Sequence, residues 1–339
     1  MKICFITGQR RTTRCGITDY TELLARELKN LGHQVSILSL SQNSSQLLSA
    51  LNNCDTCSIQ YAPYAFSETG FIETSTFKFL QGLSGINIHI NFHEIWIGAY
   101  PSASWKEKLI GWRQKKDLLR ISKLAQPNLT NCSNPAVLER LSKVGINANY
   151  LYLFGNIPFA PLHYKKPSDN LKVVIFGTLY EKFPFTILIE TLMTISHSMQ
   201  KSIQIRIVGK QRESNGLNNL KRLSAKYSFL IQEVGELASN LISQELQICD
   251  LGICTTPFDI LGKSGATAAM LEHRLPVLAY DDGDTPQECL FIPDPFKEQI
   301  FMINDDSSVE KLLQYIEKPR KSFFDGVAHT ANKMLDLIS

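Results

Sequence analysis

DLGICTTPFDILGKSGATAAMLEHRLPVLAY, residues 250–280, is the stretch on which the fold turns. A short apolar run, DLGIC, gives way to a glycine-bearing turn, then to the helix-forming ATAAMLEH from Ala266 to His273, and a Leu-Pro step opens a second apolar run, PVLAY. Strand, turn, helix, turn and strand in about thirty residues make one unit of a parallel sheet, whose neighbouring strands need a helical crossover to join them. Gly262, Lys263, Ser264 and Gly265 stand directly before the helix, so its unpaired amides and the positive end of its dipole point toward the preceding turn. That geometry predicts an anion site: Lys263 adds a full positive charge, and Ser264 either caps the helix or donates its hydroxyl to a phosphate oxygen.

Outward from this unit the same alternation recurs. Upstream lie KVVIFG (172–177), a helix from Phe183 to Met199, IQIRIVG (203–209), a helix from Leu217 to Tyr227, FLIQEVG (229–235) and a helix running through Leu246. The N-terminal half repeats the pattern with KICFITG (2–8), a helix over Thr18 to Leu31, QVSILSL (34–40), SIQYA (58–62), INIHINF (86–92) and a helix over Ser102 to Leu124. Between the halves, FAPLHYKKPSDN carries Pro, Lys and Asn and reads as a linker. The expectation is an α/β chain of two tandem Rossmann-like domains, 1–158 and 170–318, joined by 159–169. The final helical segment, 319–339, could cross back onto the first domain, although its sequence does not demand it. A length of 339 residues suits two cores of roughly 150 residues each.

Composition excludes some classes. Hydrophobic residues at 44% and charged residues at 20% are globular values, which argues against disorder or a membrane-embedded body. MKICFITG is too short for a signal peptide or a spanning helix, so the expected location is cytoplasmic. Eight cysteines are scattered, several in apolar runs, where reduced thiols act as small hydrophobes; no disulfide framework is implied. Cys54 and Cys57 form a lone CxxC without a second ligand pair, the seven histidines are dispersed, and Asp282 and Asp284 sit in a glycine turn, so no metal is expected. Net charge is only +3, with 16 Lys and Arg against 10 Asp and Glu in residues 1–160, and 19 against 22 in the rest. That imbalance is too mild to argue for nucleic acid and suits a first half that meets an anionic surface or a phosphorylated acceptor. The segment Ser102 to Leu124 interleaves Trp105 and Trp112 with seven Lys and Arg. It reads either as a helix lying on an anionic membrane or, the preferred expectation, as a plain amphipathic helix packed on the first sheet through Leu109, Ile110, Leu118, Leu119 and Ile121.

In open parallel sheets ligands gather beyond the carboxyl ends of the strands, so the residues that follow each apolar run are the candidates. In the second half these are Thr178 and Lys182 in GTLYEKF, Gly209 and Lys210 after IQIRIV, and Gly235 with Glu236 after FLIQEV. In the first half His93 and Glu94 follow INF, where a histidine suits donation to a ligand oxygen. The first loop brings Gly16 to a helix entrance with Arg10, Arg11 and Arg14 before it and Asp19 after it, as a helix cap or an acceptor contact.

The order of these pieces resembles glycosyltransferase family 4: a glycine-bearing first loop, GHQV before the second strand, FHE after the fourth, GTLYEKF at the start of the second domain, and LEHRLPVLAY at the last helix-to-strand turn. The resemblance implies a GT-B architecture, with two Rossmann-like domains facing each other across a cleft, and transfer of a sugar from a nucleoside diphosphate sugar to an acceptor hydroxyl in glycan biosynthesis. It further implies retention of anomeric configuration, no metal and no cofactor. His93, Lys182 and Lys263 take the catalytic roles; Gly262, Ser264, Gly265, Thr178, Gly209, Lys210 and Gly235 hold the donor; Gly16, Arg14, Asp19 and Glu94 face the acceptor. The chain departs from the family where Arg274 replaces a usual Gly, Thr178 a usual Arg, and Leu261 and Ala269 the usual pair of Glu; Glu272, one turn beyond Ala269, is the substitute for the ribose contact if the helix is shifted and otherwise an exposed helix-end residue, the preferred expectation. Two alternatives stand beside this reading: a non-catalytic carbohydrate-binding or scaffold protein on the same fold, for which Leu261 and Ala269 speak, and a nucleotide-sugar epimerase, whose elimination chemistry needs a set of carboxylates that the sequence does not display. The expected partners are a nucleotide sugar and a carbohydrate, lipid-linked or small-molecule acceptor, with peripheral membrane contact and no nucleic acid.

Overall fold

The structure is a computed structural model that describes residues 1–8, 16–41, 44–51, 53–83, 85–99, 103–162, 168–211, 215–281, 283 and 294–338. Arg10, Arg11, Arg14, Asp282 and Asp284 lie outside the described residues. The chain forms two compact units, one of Met1–Tyr152 with Val327–Ser339 and one of Leu153–Gly326.

The first unit contains β1 (Lys2–Thr7), α1 (Gly16–Asn30), β2 (Gln34–Ser39), α2 (Ser44–Leu51), β3 (Thr56–Tyr61), α3 (Pro63–Phe66), α4 (Thr74–Gln81), β4 (Asn87–Phe92), α5 (Trp105–Ala125), β5 (Leu129–Cys132), α6 (Pro135–Ser142) and β6 (Asn149–Tyr150). Its six strands are all parallel, in the order β2-β1-β3-β4-β5-β6. The strands β3 and β4 are buried almost throughout, as expected of a parallel sheet covered on both faces. α1 covers the sheet with Tyr20, Leu24 and Leu28, spaced one turn apart.

The second unit contains β7 (Asn170–Phe176), α7 (Phe185–Met199), β8 (Ser202–Val208), α8 (Asn215–Tyr227), β9 (Leu230–Gly235), α9 (Ser239–Ile248), β10 (Leu251–Ile253), a 3-10 turn over Phe258–Lys263, α10 (Gly265–Glu272), β11 (Val277–Ala279), α11 (Asp294–Lys297), β12 (Ile300–Met302) and α12 (Asp306–Ile316). Its strands are also all parallel, in the order β9-β8-β7-β10-β11-β12. From β7 the chain winds outward to β9, then returns to place β10 on the other side of β7. The doubly wound order therefore reverses between β7 and β10, and that reversal is where such a sheet opens at its carboxyl edge. Two parallel Rossmann-like domains are thus the architecture of the chain.

The units exchange chain at different residues from those composition suggests. Residues 153–162 are laced onto the second unit: the Gly155 amide donates to Glu272 at 2.9 Å and the Ala160 amide to Ser243 Oγ at 2.9 Å. Phe159 stacks against Phe323 at 5.1 Å between ring centroids. The last helix, α13 (Gly326–Ile338), belongs from Val327 onward to the first unit, where Thr330 Oγ1 donates to the Tyr152 carbonyl at 3.1 Å. Among the described residues no helix is long and apolar enough to cross a membrane. Cys4, Cys54, Cys57, Cys132, Cys249 and Cys254 are free thiols, with Cys4 and Cys57 paired across β1 and β3.

Candidate functional site

The carboxyl edge of the second sheet gathers glycines. Gly177, Gly209 and Gly235 end β7, β8 and β9 at φ of +89°, +112° and +78°, values an L side chain rarely adopts, so the chain can turn sharply there without a Cβ in the way. They are mutually packed: a Cβ on Gly209 would meet the Gly177 backbone at 3.6 Å, and the Gly209 amide donates to the Gly235 carbonyl at 2.8 Å. At the reversal point Thr255, just past β10, donates its hydroxyl to the Thr178 carbonyl at 2.6 Å, tying the ends of β7 and β10 together. Gln211 Nε2 adds a bond to the Gly177 carbonyl at 2.7 Å.

α10 starts against this edge, since a Cβ on Gly177 would stand 3.1 Å from that of Ala266. Ser264 is its cap: the side-chain oxygen accepts from the Thr267 amide at 3.2 Å, and its carbonyl accepts from the Ala268 amide at 2.9 Å. The amides of Gly265 and Ala266 remain as the two donors of the first turn that the cap does not satisfy. Thr267 Oγ1 lies 2.8 Å from Ser264 Oγ and 3.0 Å from Cys254 Sγ. The cap uses one lone pair of Ser264 Oγ, so capping and donation by the same hydroxyl, alternatives in sequence terms, are compatible. Residues 262–266 are half-buried, and a Cβ on Gly265 would meet nothing within 4 Å among the described residues. The structure thus joins Gly177, Gly209, Gly235, Ser264 and Gly265 at one edge, with Gly262 and Lys263 on the preceding turn. Thr178, Lys182 and Lys210 are exposed on the loops that leave the same edge.

Glu272 requires a correction. It is 1% exposed and sits at the opposite end of α10, about 12 Å from the cap at 1.5 Å rise per residue. Its carboxylate holds the Gly155 amide and packs against Gly326, where a Cβ would collide with Oε1. It fastens the two chain segments that enter and leave this unit, and is not available to a ribose. The departures at neighbouring positions share that cause. Gly155 lies directly on the backbone of Ala269, leaving no space for a longer side chain, and Leu261 is 2% exposed in the core. Arg274 adopts φ +59°, the conformation a glycine would take freely. Its guanidinium offsets the strain by standing 5.6 Å and 5.5 Å from the ring centroids of Phe296 and Phe324 and donating to the Ser322 carbonyl and Gln299 Oε1. A cavity of about 210 Å³ opens at the amino edge of the sheet, beside Arg274, Tyr315 and Arg320. Arg320 is engaged there with the carbonyls of Leu246, Gln247 and Cys249, which close the end of α9.

In the first unit His93 ends β4 at 6% exposure, edge-on to Tyr20 of α1 with ring centroids 4.9 Å apart. Its Nε2 is 2.8 Å from Gln60 Oε1 and 3.3 Å from Asn91 Nδ2. Gln60 Nε2 in turn donates to Ser58 Oγ at 2.8 Å, and Ser58 Oγ lies 2.9 Å from His89 Nδ1. Asn91 Nδ2 donates to Gln60 Oε1 at 3.2 Å. Sequence reasoning missed this buried polar row, although the alternation Ser58-x-Gln60 and His89-x-Asn91-x-His93 inside apolar strands was its trace. Glu94, Gly16 and Asp19 are exposed. Among the described residues no group of three or more His, Cys, Asp or Glu side chains is placed to hold a metal.

No protein-family profile and no curated protein matches the chain. Solved structures do. HepE of Anabaena, in a complex with UDP and glucose, aligns over 99% of both chains with a TM-score of 0.55 at 12% identity. An alpha-glucosyltransferase in complex with UDP and a 13-mer DNA aligns over 100% of this chain and 99% of its own, with a TM-score of 0.53 at 10% identity. A putative UDP-N-acetylglucosamine 2-epimerase of Listeria monocytogenes covers 98% of this chain and 94% of its own, with a TM-score of 0.52 at 12% identity. The DNA complex overturns the exclusion of nucleic acid: a chain of the same fold takes DNA, and a net charge summed over a whole chain does not describe the patch that meets a partner. What the similarity establishes for this chain is its fold, the paired Rossmann-like domains of the GT-B type.

Proposed function

We propose that this chain is a glycosyltransferase that moves a sugar from a nucleoside diphosphate sugar to an acceptor hydroxyl. The observation that carries the reading is the start of α10, where the Gly265 and Ala266 amides and the Ser264 hydroxyl stand beside the glycine-lined ends of β7 and β8, at the reversal of the sheet. Donors converging on a helix start fit a diphosphate, and the glycines let it approach the backbone. Lys263 and Lys182 supply the positive charge that meets the departing diphosphate, in place of a metal or other cofactor. The UDP complexes of HepE and the alpha-glucosyltransferase support a uridine donor.

In the reaction the acceptor oxygen bonds to the anomeric carbon while the bond from that carbon to the diphosphate oxygen breaks. Its electron pair goes to the diphosphate, and the acceptor proton passes to a diphosphate oxygen. The outcome retains configuration, as in family 4, which the motif order resembles. His93 orients a sugar hydroxyl; Gly16, Asp19 and Glu94 belong to the acceptor side. The setting is cytoplasmic glycan assembly.

Calorimetry with UDP, GDP and their sugars, followed by turnover, tests this. UDP binding should weaken about tenfold, or about 1.4 kcal/mol, in Lys263→Ala, and His93→Ala should lower kcat more than donor affinity. A folded protein that binds no nucleotide would refute the reading; tight binding without release of nucleoside diphosphate would favour a non-catalytic protein.

A further inference from the structure

α5 packs on the first unit through Gly111, Gln114, Asp117, Leu118, Ile121 and Ala125. The opposite side of the same helix is not polar. Trp105, Leu109 and Trp112 recur there at i, i+4 and i+7, exposed by 70%, 58% and 55%, and Lys116 continues the stripe at i+11. Leu109 and Leu119, expected in the core, are thus outside it, while Leu118 and Ile121 supply the packing.

The charge is concentrated in the same place. Of the 16 Lys and Arg in residues 1–160, α5 holds seven, against Glu107 and Asp117. Asp117 is buried, where it accepts from the Ile72 amide at 3.1 Å. Glu107 lies on the side of Gly111 and Leu118 and is engaged with Ser104 in the capping box. Neither faces the Trp stripe. Lys116 Nζ stands 3.6 Å over the Trp112 ring and Lys106 Nζ 5.7 Å from that of Trp105, so each ring keeps an ammonium at its side.

An exposed apolar row bordered by cations needs a partner with two layers, anionic outside and apolar within. A bilayer has both: indole rings settle at the headgroup level, leucine enters the acyl boundary, and lysines meet anionic lipid. The phosphate backbone of DNA would satisfy the lysines and leave Trp105, Leu109 and Trp112 in water. We propose that α5 docks this chain peripherally on an anionic membrane surface. The loop that follows His93 rides on this helix. Gly98 and Gly111 bring its backbone against α5 with no room for a Cβ, and the Ile97 amide donates to Gln114 Oε1 at 3.0 Å. A lipid-borne acceptor would therefore arrive at the element that steadies His93.

The lipid contact does not rest on the transfer reading, because it is measured without donor or turnover. The full chain is to be sedimented with vesicles of phosphatidylcholine alone and of phosphatidylcholine with phosphatidylglycerol, while tryptophan emission is followed. Binding to the anionic vesicles with a blue shift is expected, falling about tenfold or more in Trp105→Ala/Trp112→Ala and in Lys106→Glu/Lys116→Glu, both with the melting temperature of the wild type. Equal partition of wild type and both variants, or no preference for anionic vesicles, overturns the proposal. So does tight binding to a duplex DNA that the Trp variant leaves unchanged.

Discussion

His89 links the polar row of the first sheet to stability. The ring is 1% exposed, and burial, reinforced by His93, pushes its pKa down to about 3. The unfolded value is about 6.5, so below that pH the unfolded chain binds a proton the folded chain refuses. The contribution is therefore intact above about 6.5 and is lost as the pH falls toward 3, by up to about 1.4 kcal/mol per pH unit. Urea unfolding at pH 7 and pH 5 should show a smaller loss in His89→Gln than in the wild type, and equal losses would remove His89 as the cause. At this scale the sequence was legible in part. The helix-start residues and the strand-end glycines stand where their types place them, because turn and cap chemistry is local. Glu272, Ala269 and Arg274 were illegible: their roles are set by Gly155, Gly326 and two phenylalanines that only the folded chain brings near.

Among the elements, α5 and α10 show two ways a helix pattern reports burial. α10 is buried along Thr267 to Glu272, so its sequence, ATAAMLE, has no polar face and gave away only its start. α5 mixes a packing face with an apolar outer stripe, and the residue pattern alone left Leu109 and Leu118 indistinguishable; neighbouring loops decided between them. The first turns of α5 carry the exposed Trp105 and Leu109 and depend on the capping box, in which Ser104 Oγ accepts from the Glu107 amide while Glu107 Oε2 accepts from the Ser104 amide at 2.7 Å. Ser104→Ala should cost about 1 kcal/mol of local stability, seen as faster amide exchange over residues 105–110 with α10 unaffected. Unchanged exchange there would mean that packing alone holds the turn. Strands such as β10 and β12, three residues each, are too short to carry a period; DLGIC was read from its flanking turns, and IFM was not read at all.

For the whole molecule, alternation of strand and helix sufficed to foresee two parallel α/β units, because a parallel pair cannot close without a crossover. Strand order lay beyond it: that β10 returns beside β7, creating the reversal at which the glycine edge and α10 meet, is a property of the assembled sheet. That reversal is the basis for assigning the donor to the second unit. A crystal structure of the full chain with UDP bound tests the assignment most directly. The account predicts diphosphate oxygens within hydrogen-bond reach of the Gly265 and Ala266 amides and the Ser264 hydroxyl, with the nucleoside running along Gly209 and Gly235. A nucleotide bound elsewhere, such as the cavity beside Arg274 and Arg320, with the start of α10 untouched, would contradict it.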